Sequence, residues 1–506
     1  MTSGIQAVVF DLYDTLLRIR LRRLHKAVPR LLGVDAARWA ALIRDELLTR
    51  PFQDRAAFAR FICGRLAPRG EGMEERLLAL VREEVDSVEP YDGVRALLAF
   101  LRRRGFALGL LSNLSSVHKE PLRRHAMEPL FDALGLSCDE GLKKPEPGFY
   151  LRLCERLGVP PQAALVVGDS LANDVEAPRA LGMRAVRVGD ASGQGLKTAA
   201  MLGFVSLQPG SELAPLLAEG QRVCLAGRDG ILGGLRVLPD SEHGRYNLVA
   251  SGVVAFDSGA AEDVFCKRYL FPDGAHVEEF AHGLLAALGM PSCHAAVTEG
   301  PEPCLLVSRA PGTKLEATAT APLSRQVGRQ AALAYLFANA DLRPRNAFVS
   351  YQGSEPTLTM TDLEHCFLNL ALDVSGIEDP LCPESLDRLG EGELGRRVAR
   401  RVLTPRTMKR ARRAFFGTDA LPCDLEAAFR DGWMDAYREV QAQDARALGL
   451  IEARLRREPF LVVGTQAYRR AMARVDLEDI RGRLEADAEA VYAASFGVDS
   501  KAPQGL

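Results

Sequence analysis

Asp11 closes the apolar stretch of VVFDLYDTL, and Thr15 follows it four residues later. A carboxylate at the C-terminal edge of a buried parallel strand stands where α/β sheets place their chemistry. A threonine hydroxyl and free backbone N–H groups on the following turn can hold an anion. Alone this pair says little, because aspartate also ends strands as a cap. Three further pieces follow in order. Ser112 and Asn113 end a second apolar run, GLLSN, placing a hydroxyl where it can meet a phosphoryl oxygen. Lys144, in GLKKPEPGFY, can neutralise both the carboxylate and a substrate's charge. GDSLANDV then brings Asp169 to the end of a third run, with Asp174 five residues on. With Asp11, these two make a hard oxygen cage suited to Mg²⁺. The implied chemistry is covalent: a carboxylate attacks an electrophilic centre while lysine, hydroxyl and metal stabilise the charge that develops. The competing reading, strand-end caps and surface charges, needs four coincidences in sequence order.

These groups require a particular frame. IQAVVFDL (5–12), ALGLLSN (107–113) and AALVVGDS (163–170) are short apolar runs bounded by turn signals, as central parallel strands are. Helical stretches separate them, giving an α/β doubly wound pattern. Between residues 17 and 92 the strand signal gives way to four amphipathic helices, RRLHKAVPRLLG, AARWAALIRDELL, DRAAFARFICGRLA and MEERLLALVREEV, a helical insert that returns at EPYDG.

Over residues 5–205 the chain resembles the haloacid dehalogenase (HAD) superfamily of hydrolases, with the insert similar to its type-1 cap. The resemblance implies Asp11 as nucleophile, Thr15, Ser112, Asn113 and Lys144 around it, and Mg²⁺ on Asp11, Asp169 and Asp174. It also implies a small phosphorylated substrate and an aspartyl-phosphate intermediate. One departure stands out. Phosphatases of this superfamily carry an acid two residues after the nucleophile, where this chain has Tyr13 followed by Asp14. The D-x-Y pattern, Ser112–Asn113 and Tyr150 six residues after Lys144 are similar to 2-haloacid dehalogenases, which need no metal. The acids at 169 and 174 favour phosphate ester hydrolysis, with C–halogen hydrolysis as the alternative.

The chain changes character near residues 206–224, which read as a linker. Residues 225–500 read as a mixed α+β domain with a mostly helical C-terminal end. Lys267 lies in the strand-like VFCKRYL, and an acidic pair, Glu278 and Glu279, opens the next helix. NADLRPRNAFV (339–349) and TLTMTDLEHCF (357–367) place Asp341, Asn346 and Asp362 in order. This D-x-x-P-x-N loop resembles the catalytic loop of protein kinases and their atypical relatives. The resemblance implies Asp341 orienting an acceptor hydroxyl, Asn346 and Asp362 binding metal, and ATP held with Lys267 and Glu279, or Glu278. SGVV (251–254) and GILGG (230–234) are candidates for the phosphate loop. A plainer reading is an unrelated domain with an ordinary turn, or a nucleotide-binding module without catalysis.

At 506 residues the chain exceeds one ordinary core, and its net charge of −2 predicts no bulk attraction to nucleic acid or anionic membrane. Nine basic residues without an acid occur from Arg396 to Arg413. They read either as a site for an anionic partner, nucleic acid included, or as a solvated face paired with acids such as Glu391 and Glu393. With only Phe415 and Phe416 nearby for stacking, the second reading is preferred. No apolar run reaches the ~18 residues of a membrane span. The N-terminus has no basic leader, and the ten cysteines are scattered without a CxxC pair. The expectation is a cytoplasmic enzyme with reduced thiols.

Overall fold

The computed structural model describes residues 4–66, 72–189, 196–207, 215–243, 247–270, 273–298, 302–316, 320–339, 341–368, 392–393, 396, 405–457 and 477–497. They divide into two compact units: residues 1–215 with 237–248, and 216–236 with 249–506.

In the first unit every residue of β1 (Ala7–Phe10) is buried, as its uninterrupted apolar sequence requires. Two short strands, β2 (Leu17–Ile19) and β3 (Val88–Pro90), pair antiparallel and join both ends of the insert. No strand signal marks them, because each has only three residues with a charged one at its centre. The remaining strands are β4 (Ala107–Ser112), β5 (Ala133–Leu136), β6 (Ala164–Gly168) and β7 (Arg184–Arg187). The five-stranded sheet runs β5-β4-β1-β6-β7, and its pairings are parallel. Register does the positioning: Phe10 lies opposite Leu110 and Val167. Asp11, Ser112 and Asp169 therefore emerge together at one edge of the sheet.

The insert comprises α1 (Leu24–Leu32), α2 (Ala36–Leu42), α3 (Arg55–Leu66) and α4 (Met73–Asp86). Leu24, Val28, Trp39, Phe58, Ile62, Leu77 and Val81 share one apolar core. α1 has no side-chain cap of its own. Buried Glu84 on α4 supplies one, accepting the N–H groups of Arg23 and Leu24 at 2.6 and 2.7 Å.

In the second unit, β8 (Arg222–Leu225), β9 (Arg228–Val237), β10 (Asn247–Phe256), β11 (Ala261–Tyr269), β12 (Ala295–Val297) and β13 (Cys304–Ser308) form one sheet. Its order is β12-β13-β11-β10-β9-β8. The two candidate phosphate loops are corrected here: residues 230–234 and 251–254 lie inside β9 and β10 as extended strand, not in loops. After α5 (Asp273–Ala287), a smaller sheet is formed by β14 (Thr313–Lys314), β15 (Ala347–Gln352) and β16 (Glu355–Met360), with α6 (Ala321–Leu336) between β14 and β15. The helical end contains α7 (Pro405–Phe416), α8 (Cys423–Gln441), α9 (Asp444–Arg457), α10 (Leu477–Glu485) and α11 (Ala488–Phe496). α6 and α8 approach so closely that a Cβ at Gly328 would lie 2.0 Å from the Phe429 carbonyl oxygen. One at Gly432 would lie 1.9 Å from that of Arg325.

Arg397, Arg400, Arg401, Glu391 and Cys382 fall outside the described residues. Of the rest of the basic tract, Arg396 pairs with Glu393 at 2.7 Å. Arg412 is buried on α7 against Glu426, while Met408 and Phe415 face the core. Among the described residues, the cysteines are free thiols, and no helix is long and apolar enough to cross a membrane.

Candidate functional site

The sheet edge of the first unit brings the expected residues together. Lys144 Nζ lies 2.7 Å from Asp11 Oδ1 and 2.6 Å from Asp174 Oδ1, with all three side chains nearly sealed from solvent. Ser112 Oγ donates to Asp11 Oδ1 at 3.2 Å, and Thr15 Oγ1 to Asp11 Oδ2 at 3.4 Å. Asn113 meets the backbone of Lys144. Its side chain accepts from the Lys144 N–H (2.7 Å) and donates to the Lys144 carbonyl (2.8 Å), so it positions the lysine.

Asp174 sits on the turn after β6, where its Oδ2 accepts the Ser170 N–H at 3.0 Å. The carboxylate can come this close because residue 168 is glycine: a Cβ there would lie 2.3 Å from Asp174 Cγ. Asp169 completes the cluster, and ligand oxygens of Asp11, Asp169 and Asp174 lie within 4.8 Å of one another. Burial pushes the Asp11 carboxyl up to about 6; Lys144 pulls it down and Asp174 pushes it further up. Burial opposes the Lys144 charge, but Asp11 and Asp174 outweigh it and raise its pKa. Asp169 is raised by burial, then by Asp174 and Asp14. Three carboxylates against one ammonium leave negative charge uncompensated. A hard, divalent, oxygen-seeking cation fits that donor set, and Asp11, Asp169 and Asp174 would hold Mg²⁺.

Position 13 offers no acid. The Tyr13 hydroxyl donates to the His118 carbonyl at 2.9 Å, and its ring meets the His118 imidazole edge-on at 5.7 Å between centroids. Burial also drives its pKa upward. Asp14 is tied to Arg22 at 2.6 Å. Three residues the sequence reading passed over gather beside Tyr13. His118 Nδ1 lies 2.8 Å from Ser115 Oγ, and its Nε2 lies 3.4 Å from Glu84 Oε1. A signal for Glu84 existed: it falls in the helical register of Leu77, Val81 and Val85, on the buried face.

The haloacid dehalogenase-like hydrolase family matches residues 5–182. Protein CbbY of Cereibacter sphaeroides is 30% identical over 194 residues, spanning 36% of this chain and 83% of that protein. The chain belongs to the haloacid dehalogenase-like hydrolase family. A Mycobacterium tuberculosis phosphatase is 29% identical over 197 residues, 38% of this HAD chain and 90% of the relative. The glyceraldehyde 3-phosphate phosphatase of Methanopyrus kandleri is 35% identical over 102 residues, 20% of this chain, which spans only 44% of that relative's length. A HAD phosphatase structure from Thermococcus onnurineus covers 38% of this chain and 91% of its own, at 25% identity and a TM-score of 0.28. The family match lies within the first unit of this HAD protein.

The second unit holds a separate polar cluster. Lys267 on β11 pairs with Glu278 Oε1 at 2.8 Å and with Asp362 Oδ1 at 2.6 Å. Of the two candidate glutamates the partner is thus Glu278, while the Glu279 carboxylate turns to the Val297 N–H at 2.8 Å. Burial works against both charges of the Lys267–Glu278 pair. Asp362 and Glu278 nevertheless hold the lysine pKa high, and Lys267 with His282 holds the glutamate low. Asn346 Nδ2 donates to Asp341 Oδ2 at 3.1 Å, and Arg343 meets Asp341 Oδ1 at 2.6 Å. Asp362 follows β16 with a left-handed backbone, φ 56°. Glu364, not singled out from the sequence, joins Glu278 and Asp362 with ligand oxygens within 4.8 Å.

Proposed function

We propose that the first unit hydrolyses a phosphate monoester with Mg²⁺ through an aspartyl-phosphate on Asp11. The observation that carries this reading is the union of three carboxylates and one buried lysine at a parallel-sheet edge. The phosphatase names of the relatives support it. Lys144 orients Asp11 and cancels part of the repulsion that a phosphate would meet. Thr15 and Ser112 offer hydroxyls to the phosphoryl oxygens. Asp11 forms a bond to phosphorus as the ester P–O bond breaks; water then cleaves the acyl phosphate, restoring Asp11 and releasing phosphate. When bound, Mg²⁺ supplies charge neutralisation at the transferring oxygens. With no acid at position 13, the leaving oxygen draws its proton from water. The site forgoes roughly 10²–10⁴-fold of general-acid assistance.

Tyr13 is what favours the alternative, C–halogen hydrolysis without metal. Assaying phosphate esters and 2-haloacids with and without added Mg²⁺ separates the two readings. Phosphate release that requires Mg²⁺ is expected, and halide release without metal would contradict it.

For residues 225–500 we propose a kinase-like phosphotransferase fold; of the linker expected at 206–224, residues 222–224 already belong to β8. Support for that fold is the Lys267–Glu278–Asp362 cluster together with Asp341 and Asn346 on the loop before β15. In this reading Lys267 meets ATP phosphates, Asn346 and Asp362 hold Mg²⁺, and Asp341 orients the acceptor. The Mg²⁺–ATP affinity of the full chain is expected to fall at least tenfold in both Lys267→Ala and Asp362→Ala. Unchanged binding in both variants would contradict it.

A further inference from the structure

Beside Tyr13, two residues after the nucleophile, the first unit has a partly open pocket of about 210 Å³. One end carries Tyr13 and Asn113, neighbours of Asp11 and Ser112, with Ser115 and His118 beside them. Most of the rest is apolar and belongs to the insert, Leu24, Trp39, Ile43, Leu47, Leu48 and Phe58, with Arg22, His25 and Glu84 also in the wall. A cavity of roughly 150 Å³ lined by such side chains already takes a benzene ring. Against the apolar part of this wall, sugar or glycerol hydroxyls would give up water without gaining partners. One wall residue is itself incomplete. Trp39 is 3% exposed, and its indole N–H meets no acceptor among the described residues. A buried donor left unmatched is costly, so its partner belongs to whatever fills the space. The missing acid at position 13 adds a chemical preference, because a phenol leaves as its anion far more readily than an alkyl alcohol.

We propose that the substrate is the phosphate ester of a compact phenol carrying a hydrogen-bond acceptor away from the phosphate, taken by Trp39 Nε1–H. The proposal rests on the phosphatase reading of the same site. Trp39 and Phe58 hold the ring, and the phosphate lies towards Asp11.

Binding to the full-length Asp11→Asn protein with Mg²⁺ tests this apart from catalysis. The probes are phenyl phosphate, 4-acetylphenyl phosphate and glycerol 3-phosphate, measured by calorimetry. Phenyl phosphate is expected to bind at least tenfold more tightly than glycerol 3-phosphate, since each buried methylene-sized group contributes roughly fourfold. The acetyl compound is expected to bind more tightly still. Adding Trp39→Phe should weaken the acetyl compound about fivefold more than it weakens phenyl phosphate, one hydrogen bond's worth, with phenyl phosphate still bound as the check on folding. Equal affinity for glycerol and phenyl phosphates would overturn the proposal, as would equal losses for both aryl probes in Trp39→Phe. Turnover by the wild-type chain is read separately. Its absence would remove the phosphatase reading, while Asp11-dependent turnover without aryl preference in binding would remove this proposal alone.

Discussion

At the scale of single residues, the site is governed by an imbalance of charge. Lys144 is shared between Asp11 and Asp174, so neither carboxylate is fully neutralised, and burial raises the cost of leaving them so. Gly168 is what allows this crowding. Gly168→Ala would drive a methyl group into the Asp174 carboxylate. It is expected to lower Mg²⁺ affinity by about 10–100-fold, the usual cost of misplacing a metal-site side chain, with a parallel fall in turnover. Metal titration monitored by phosphate release checks this, and an unchanged Mg²⁺ dependence would show that Asp174 plays no part in binding.

At the scale of elements, the insert depends on a buried carboxylate. Burial alone would raise the Glu84 pKa, but His118 and the N–H groups of Leu24 and Arg23 outweigh it and leave the group below its ordinary value. Since the folded value is the lower one, protonation favours unfolding. The contribution of Glu84 is complete above the unfolded value of about 4.3 and is lost as pH falls through the folded one. Glu84→Gln, which cannot titrate, is expected to be less stable at neutral pH by about 1–2 kcal/mol. Its stability should also decline less between about pH 5 and pH 3. Urea midpoints measured across that range would disagree with this if the two proteins declined in parallel.

The same scale explains what was legible beforehand. β1, β4 and β6 are buried on both faces, so their apolar runs announce them, and each carries a candidate catalytic residue at or just beyond its end. β5 and β7, four residues long and at the sheet edges, gave no comparable signal. The four insert helices were readable from their periodicity. Glu84 was not read, because a glutamate near a helix end is ordinarily a surface charge. Glu278 and Glu279 are neighbours on one helix, and only the packing of Val277 and Ala281 decides which of them meets Lys267.

At the scale of the whole molecule, two units each bring a buried lysine against two carboxylates, but by different means. The first does so through the register of a parallel sheet, the second through a strand, a helix and the end of a hairpin. The HAD family match ends at residue 182, so the first unit carries the central claim: Asp11 is the group that attacks phosphorus. The most direct measurement is the rate of phosphate release from an aryl phosphate with Mg²⁺, comparing the wild-type chain with Asp11→Asn. The side chains are nearly identical in shape, but the amide has no nucleophilic oxygen anion. A loss of at least about 10³-fold, with the fold intact by circular dichroism, is the expected result. Equal rates in the two proteins would contradict it.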